Sequence, residues 1–295
     1  VDVNGKELAE FFSNKKNTMT MLVGCAPCQT FSNYNRRSSE KDPRWRLITE
    51  FGRIISEIRP DFVAMENVPQ LASKQVFFDF ILALRNIGYE NIESQIIKCE
   101  EYGTPQYRRR LVLVASKNIP LKILSPKEFG AKLTTVRNVI GNLPKLEAGS
   151  IDKKDPLHRA CNLSDINLTR IRHSVPGGSW KDWPERLIAK CHKKSSGDSY
   201  RNVYGRMEWD CPAPTITTQF IGYGNGRFGH PSQNRALSLR EGALLQGFPL
   251  SYEFTPLGES YAMGVIARMI GNAVPVKIGE LIGKSILESM KKYYK

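Results

Sequence analysis

The chain has 295 residues, 41% of them hydrophobic, and its 43 Lys and Arg against 29 Asp and Glu leave a formal charge of +14. That length can bury one substantial core and a smaller second one, and the basic balance suits a polyanionic partner, nucleic acid first. No apolar run approaches the ~20 residues that cross a bilayer, and the first residues lack the charged-then-apolar pattern of a secretory signal. No membrane contact and a cytoplasmic location are expected. The cysteines, at 25, 28, 99, 161, 191 and 211, follow no framework spacing, which argues for a reducing compartment.

A helix-like stretch, residues 5–12, opens the chain. The apolar run Leu22-Val23-Gly24 then stops at Cys25-Ala26-Pro27-Cys28-Gln29, so residues 18–24 read as a buried strand with a thiol at its end. Open α/β sheets bind ligands at that edge, where Cys28 is placed to act as a nucleophile. Residues 61–65 form a second buried strand that ends in Glu66-Asn67-Val68-Pro69, and residues 92–98 and 111–115 a third and a fourth. Between them, residues 46–58 and 76–87 place apolar side chains three and four apart and stop at Pro60 and Gly88. This alternation predicts an α/β fold with a mostly parallel, doubly wound sheet. Residues 276–292 close the chain with a predicted helix on that sheet, Pro275 at its first turn and Ile278, Leu281, Ile282, Ser285 and Ile286 on one face.

From residue 155 to 233 glycine, tryptophan, tyrosine and basic residues replace the periodic apolar runs, which predicts a second, smaller domain entered near Pro144, Gly149 and Pro156 and left at His230-Pro231. Arg159, Arg170, Arg172, Lys181, Arg186, Lys190, Lys193, Lys194, Arg201, Arg206 and Arg227 crowd this region. Cys25-x-x-Cys28 lacks the second pair of a zinc ribbon, so no metal is expected, and Cys25 reads as a small buried filler. Gly283-Lys284-Ser285 ends like a phosphate-binding loop, but the first glycine of that motif would fall on Ile278. Gly222-Tyr223-Gly224-Asn225-Gly226 lacks a flanking strand and helix and reads as a turn or a close backbone approach.

Pro27-Cys28-Gln29, Glu66-Asn67-Val68, Gln106-Tyr107-Arg108-Arg109-Arg110 and Gly271-Asn272-Ala273-Val274-Pro275 resemble, in that order, the signature blocks of the DNA (cytosine-5)-methyltransferases. Arg235-Ala236-Leu237-Ser238-Leu239-Arg240-Glu241 and Leu245-Gln246-Gly247-Phe248-Pro249 resemble a further block, so the likeness spans about residues 22–286. It implies a Rossmann-like methyltransferase domain, S-adenosyl-L-methionine as cofactor, and double-stranded DNA with the target cytosine flipped out. It also implies Cys28 as the nucleophile at C6 and Glu66 as the group that places a proton or strong hydrogen bond on N3. Burial beside Val68 and Phe31 would favour the neutral acid. Arg108 would contact O2 of the base, with Arg110 supporting the loop, and Asn67 would orient the carboxylate or read the exocyclic amine.

The same resemblance implies cofactor contacts from Pro27, Asn272 and Val274, and DNA contacts from Gln29, Ser32, Asn67, Gln106, Gly178, Arg206, Thr217 and Arg240. Residues 1–150 and 234–295 would form the catalytic domain, and residues 155–233 a target-recognition domain whose Trp180, Trp183 and Trp209 either stack on DNA or fill its core. Family members open with a strand ending in a Phe-x-Gly-x-Gly turn and a second strand with an acidic end, whereas this chain starts at Val1 and reaches Pro-Cys-Gln without them. A preceding segment or a second polypeptide is expected to complete the cofactor site, and a cognate restriction endonuclease is a further expected partner. Two rival readings use the same residues: a catalytically silent DNA-binding subunit, and an RNA cytosine-5 methyltransferase. The basic second domain favours DNA.

Overall fold

The computed structural model describes residues 18–25, 46–194, 200–256 and 261–295, together with residues 7, 8, 10, 197 and 259. In chain order the elements are β1 (Met21–Gly24), α1 (Arg46–Ile58), β2 (Phe62–Asn67), α2 (Gln75–Asn86), β3 (Asn91–Lys98), β4 (Arg109–Ser116), α3 (Pro126–Phe129), α4 (Val136–Ile140), α5 (Asp165–Arg172), α6 (Leu239–Leu245), α7 (Met263–Asn272) and α8 (Val276–Tyr293). None of the described helices is long and apolar enough to cross a membrane. The chain packs as two units, one made of Val1–Lys98, Arg109–Gly130 and Gly279–Lys295, the other of Cys99–Arg108 and Ala131–Ile278.

The first unit is built on a sheet of order β1-β2-β4-β3. β1 pairs with β2 in parallel, whereas β4 is antiparallel to both β2 and β3. The sheet is therefore mixed, which corrects the mostly parallel, doubly wound expectation. The physical reason lies in the link between β3 and β4, where a single 3-10 turn at Cys99–Tyr102 and Gly103 at φ 83° reverse the chain. Parallel neighbours need a crossover of a dozen or more residues, usually a helix, and residues 99–108 hold none. The reversed β4 slots between β2 and β3.

Strand burial follows position in the sheet. β2 is buried along its whole length, and β4 from Leu111 onward. The edge strands β1 and β3 are only partly covered, with Val23 59% and Ile96 47% exposed, so the expectation of four buried strands holds for the central pair alone. Val63 and Met65 of β2, with Leu111, Leu113 and Ala115 of β4, join Ile48 and Ile55 of α1 and Phe77, Phe80 and Leu84 of α2 in one core. Phe62, Ala64, Val112 and Val114, on the alternate face, are buried as well, as expected of central strands covered on both sides.

The helices stop where the breakers stand. Gly88, at φ 94°, donates to Arg85 O while the Tyr89 amide reaches Leu84 O, a Schellman closure that needs a left-handed residue. The predicted face of α8 is buried at every named position. Ser285 and Ser289 accept from the amides of Leu124 and Lys122, tying α8 to the chain after β4. A methyl group added at Gly279 or Gly283 of α8 meets nothing within 4 Å. Gly→Ala at either position should therefore raise stability by about 0.4–1 kcal/mol, because only the unfolded chain loses freedom; a lowered urea midpoint would contradict this packing.

Candidate active site

Three side chains from separate strands meet on one face of the first unit's sheet. The parallel register pairs Gly24 with Met65, so the next residues, Cys25 and Glu66, adjoin beyond it. Alternation puts Arg110 of β4 on the face of Val112, the partner of Glu66. Arg110 Nε lies 2.5 Å from Glu66 Oε1, and Cys25 Sγ donates to Glu66 Oε2 at 2.9 Å. Glu66 is 5% exposed. Cys25, expected to be a buried filler, is exposed: among the described residues β1 is the outermost strand of its sheet, and the thiol stands past its last pair. Asn67 projects to the opposite face, is buried, and accepts the Val68 amide on Oδ1. That bond helps turn the chain after β2. Pro27, Cys28, Gln29, Phe31 and Ser32 lie outside the described residues.

The rest of the Gln-x-Arg-x-Arg block serves the second unit. Gln106 is fully buried; its amide donates to Leu245 O and Gln246 Oε1 and accepts from Ile216 N. Those bonds make Gln106 an internal brace and correct its reading as a DNA contact. Arg108, 5% exposed, donates to Ile216 O at 3.0 Å and more weakly, at 3.5 Å, to Gly271 O and Ala273 O. Gln246 Nε2 adds a bond to Ile270 O at 2.6 Å. Together they hold the turn Gly271–Pro275, where Asn272 is exposed and Val274 half-buried. Gly271 is required there, since a methyl group would run into the backbone of Thr217 and Thr218.

The candidate DNA contacts of the second unit divide sharply. Arg206 is buried and donates from Nε to Ser174 O, from Nη1 to His230 O and Gln233 O, and from Nη2 to Ile171 O and Asn234 Oδ1. A guanidinium has five N–H donors, so Arg206 is fully engaged within the protein and has none left for a phosphate. Arg240 grips Asp155 with two bonds and Tyr252 O with a third; it too is internal. Gly178 offers its carbonyl to Arg227, and Thr217 Oγ1 accepts Gln219 N at 3.3 Å. Trp180 and Trp183 fill a core cluster and Trp209 packs against another. Among the described residues from 155 to 233, the exposed Lys and Arg are Arg172, Lys181, Arg186, Lys190, Lys193, Lys194 and Arg201.

Beneath these loops is a buried network that sequence reading does not separate from the motif around it. Arg235, fully buried, makes a two-pronged bond to Glu241 at 2.8 and 2.7 Å. Glu241 also accepts the Ser238 amide, closing the capping box at the start of α6. Burial works to raise the Glu241 carboxyl, but the Arg235 bonds outweigh it and hold the group below its ordinary value. His230, whose Nδ1 accepts two backbone amides, is pushed by burial from 6.5 down to about 4, against the upward pull of Glu241.

A profile of the C-5 cytosine-specific DNA methylases matches residues 3–288. The Type II methylase M.HgiDII of Herpetosiphon aurantiacus is 53% identical over 288 residues, covering 97% of this chain and 80% of that protein. The Type II methyltransferase M.PspPI of Psychrobacter sp. (strain TA137) is 30% identical over 285 residues, 95% of this chain and 66% of the relative. A crystal structure described as a DNA modification methyltransferase encoded within an E. coli prophage shares the fold, with a TM-score of 0.70 at 21% identity over 98% of this chain and 84% of that one. The chain belongs to the C-5 cytosine-specific DNA methylase family. It is a DNA (cytosine-5)-methyltransferase.

The network around Glu241 gives stability a defined pH dependence. Because His230 titrates lower when folded than its ordinary 6.5, the unfolded chain binds more protons in between. Its contribution is complete above that pH and is lost as the pH falls toward about 4, a loss of roughly 2–3 kcal/mol. Glu241, depressed in the fold, adds a loss of the same sign that sets in as the pH falls below its ordinary 4.5. Trp209 stands edge-on to His230 at 5.2 Å, so urea unfolding followed by its fluorescence should show the midpoint falling across this window, and His230→Gln should flatten the fall. An equal slope in both proteins would contradict the assignment.

Proposed function

We propose that this chain transfers a methyl group from S-adenosyl-L-methionine to C5 of a flipped-out cytosine in double-stranded DNA, with Cys28 as nucleophile. It acts in the cytoplasm as the modification enzyme of a type II system, with a cognate endonuclease as its functional partner. The observation that carries the reading is the Glu66 carboxyl held at the end of β2 by Arg110, on the strand parallel to the one that leads into Pro27-Cys28-Gln29.

C5 of cytosine is a poor nucleophile while the ring is aromatic. Addition of the Cys28 thiolate to C6 breaks that conjugation and moves an electron pair onto the ring, so that C5 becomes enamine-like. Glu66 meets the charge that accumulates at N3 with a proton, and Arg110 stabilises the carboxylate that remains. Return of the N3 proton to the Glu66 carboxylate, loss of the C5 proton to solvent and departure of the thiolate from C6 then restore the aromatic base and the enzyme. Arg108 contributes by bracing Ile216 and the Gly271–Pro275 turn. When bound, S-adenosyl-L-methionine supplies an electrophilic sulfonium methyl.

Asn272, with its exposed amide, and half-buried Val274 suit polar and apolar contacts to the adenosyl part; we assign them to it together with Pro27. The ribose and carboxylate contacts we assign to a preceding segment or a second polypeptide. Residues 155–233 read the target, with Gly178 and Thr217 near the bases and the exposed cations from Arg172 to Arg201 on phosphates.

In the full-length enzyme, Cys28→Ala should abolish incorporation of labelled methyl groups into DNA while leaving DNA affinity largely intact, since the phosphate contacts persist. Glu66→Gln should lower turnover about 100-fold to 10,000-fold. Near-normal turnover in Glu66→Gln would remove Glu66 from the mechanism, and methyl transfer by Cys28→Ala would remove the nucleophile.

A further inference from the structure

We propose that Cys25 is a positioning residue for methyl transfer, acting through Glu66. The proposal rests on the reading of Glu66 as proton donor given above. A carboxyl group turns easily about its last torsion, where the energy wells are broad and nearly two-fold, so a single anchor fixes its place but not its plane. Arg110 anchors Oε1 and the Cys25 thiol anchors Oε2 at 2.9 Å. Two donors on different oxygens leave one orientation. A carboxylate offers about four acceptor sites, and these bonds use one on each oxygen.

The strand path holds the thiol in place. β1 and β2 pair in parallel up to Gly24 and Met65, which sets Cys25 beside Glu66 from a position 41 residues earlier in the chain. A methyl group at Gly24 would overlap the Phe51 ring of α1, so close packing of that ring on the glycine backbone fixes where the next residue begins. Cys25 is exposed and Glu66 is not. The donor on Oε2 can therefore be exchanged with little disturbance of the core.

The test is a set of variants of the full-length enzyme, read as single-turnover rate and KM for DNA. Cys25→Ala should slow methyl transfer about tenfold, the scale of one hydrogen bond from a weak donor to a charged group, with KM unchanged. Cys25→Ser, which keeps a donor for Oε2, should restore most of the lost rate. In a Glu66→Gln background, Cys25→Ala should add no further loss, because the group it positions has gone. Wild-type rates in Cys25→Ala, an equal loss in Cys25→Ser, or an undiminished loss on top of Glu66→Gln would each overturn the proposal while leaving Glu66 as the acid. Near-normal turnover in Glu66→Gln alone would remove the reading beneath it.

Discussion

Arg110 stands at the start of β4 and Glu66 at the end of β2, and the ion pair between them forms only because the two strands run in opposite directions. A parallel β4 would begin at the far end of the sheet and leave Glu66 without its cation. The short link through residues 99–108 therefore does more than reverse the chain. It delivers a guanidinium to the edge where β1 and β2 end, and it carries Gln106 and Arg108 on the way. Both members of the pair are largely removed from water, with side-chain exposures of 14% and 6%. Deleting one partner of such a pair leaves the other charge uncompensated, at a cost of about 3–5 kcal/mol.

The second unit uses its cations in a comparable way. Arg235 is buried against Glu241, Arg240 grips Asp155, and Arg206 gathers four carbonyls and an amide oxygen from two segments, residues 171–174 and 230–234. Loop-rich chain leaves many backbone oxygens without a helix or strand partner, and a guanidinium satisfies several at once. Part of the +14 charge is thus internal scaffolding. The charge that faces solvent in this region is carried by residues such as Arg172, Arg186, Lys190 and Arg201, which the family blocks do not single out.

Local pattern was legible where local physics decides it. α1 spans residues 46–58 as the apolar spacing predicts, Gly88 ends α2 in a left-handed turn, and the buried face of α8 matches position by position. Strand direction was not legible, because period-two alternation reads the same in either sense and the reversal lies in a link without periodicity. Edge exposure at Val23 and Ile96 was hidden for a related reason, since neighbours in the sheet come from distant sequence. Gln106, Arg206 and Arg240 were misread because sequence does not distinguish a polar side chain that binds DNA from one that binds its own backbone. Cys25 was misread because its partner lies 41 residues away.

The most direct measurement is covalent trapping on DNA that carries 5-fluorocytosine at the target, where the C5 fluorine cannot leave as a proton and the adduct persists. Digestion of the trapped full-length enzyme and mass mapping of the modified peptide should place the base on Cys28. A base attached to Cys25, or a stable methylated product with no adduct, would contradict a mechanism in which Cys28 adds to C6 while Glu66 serves N3.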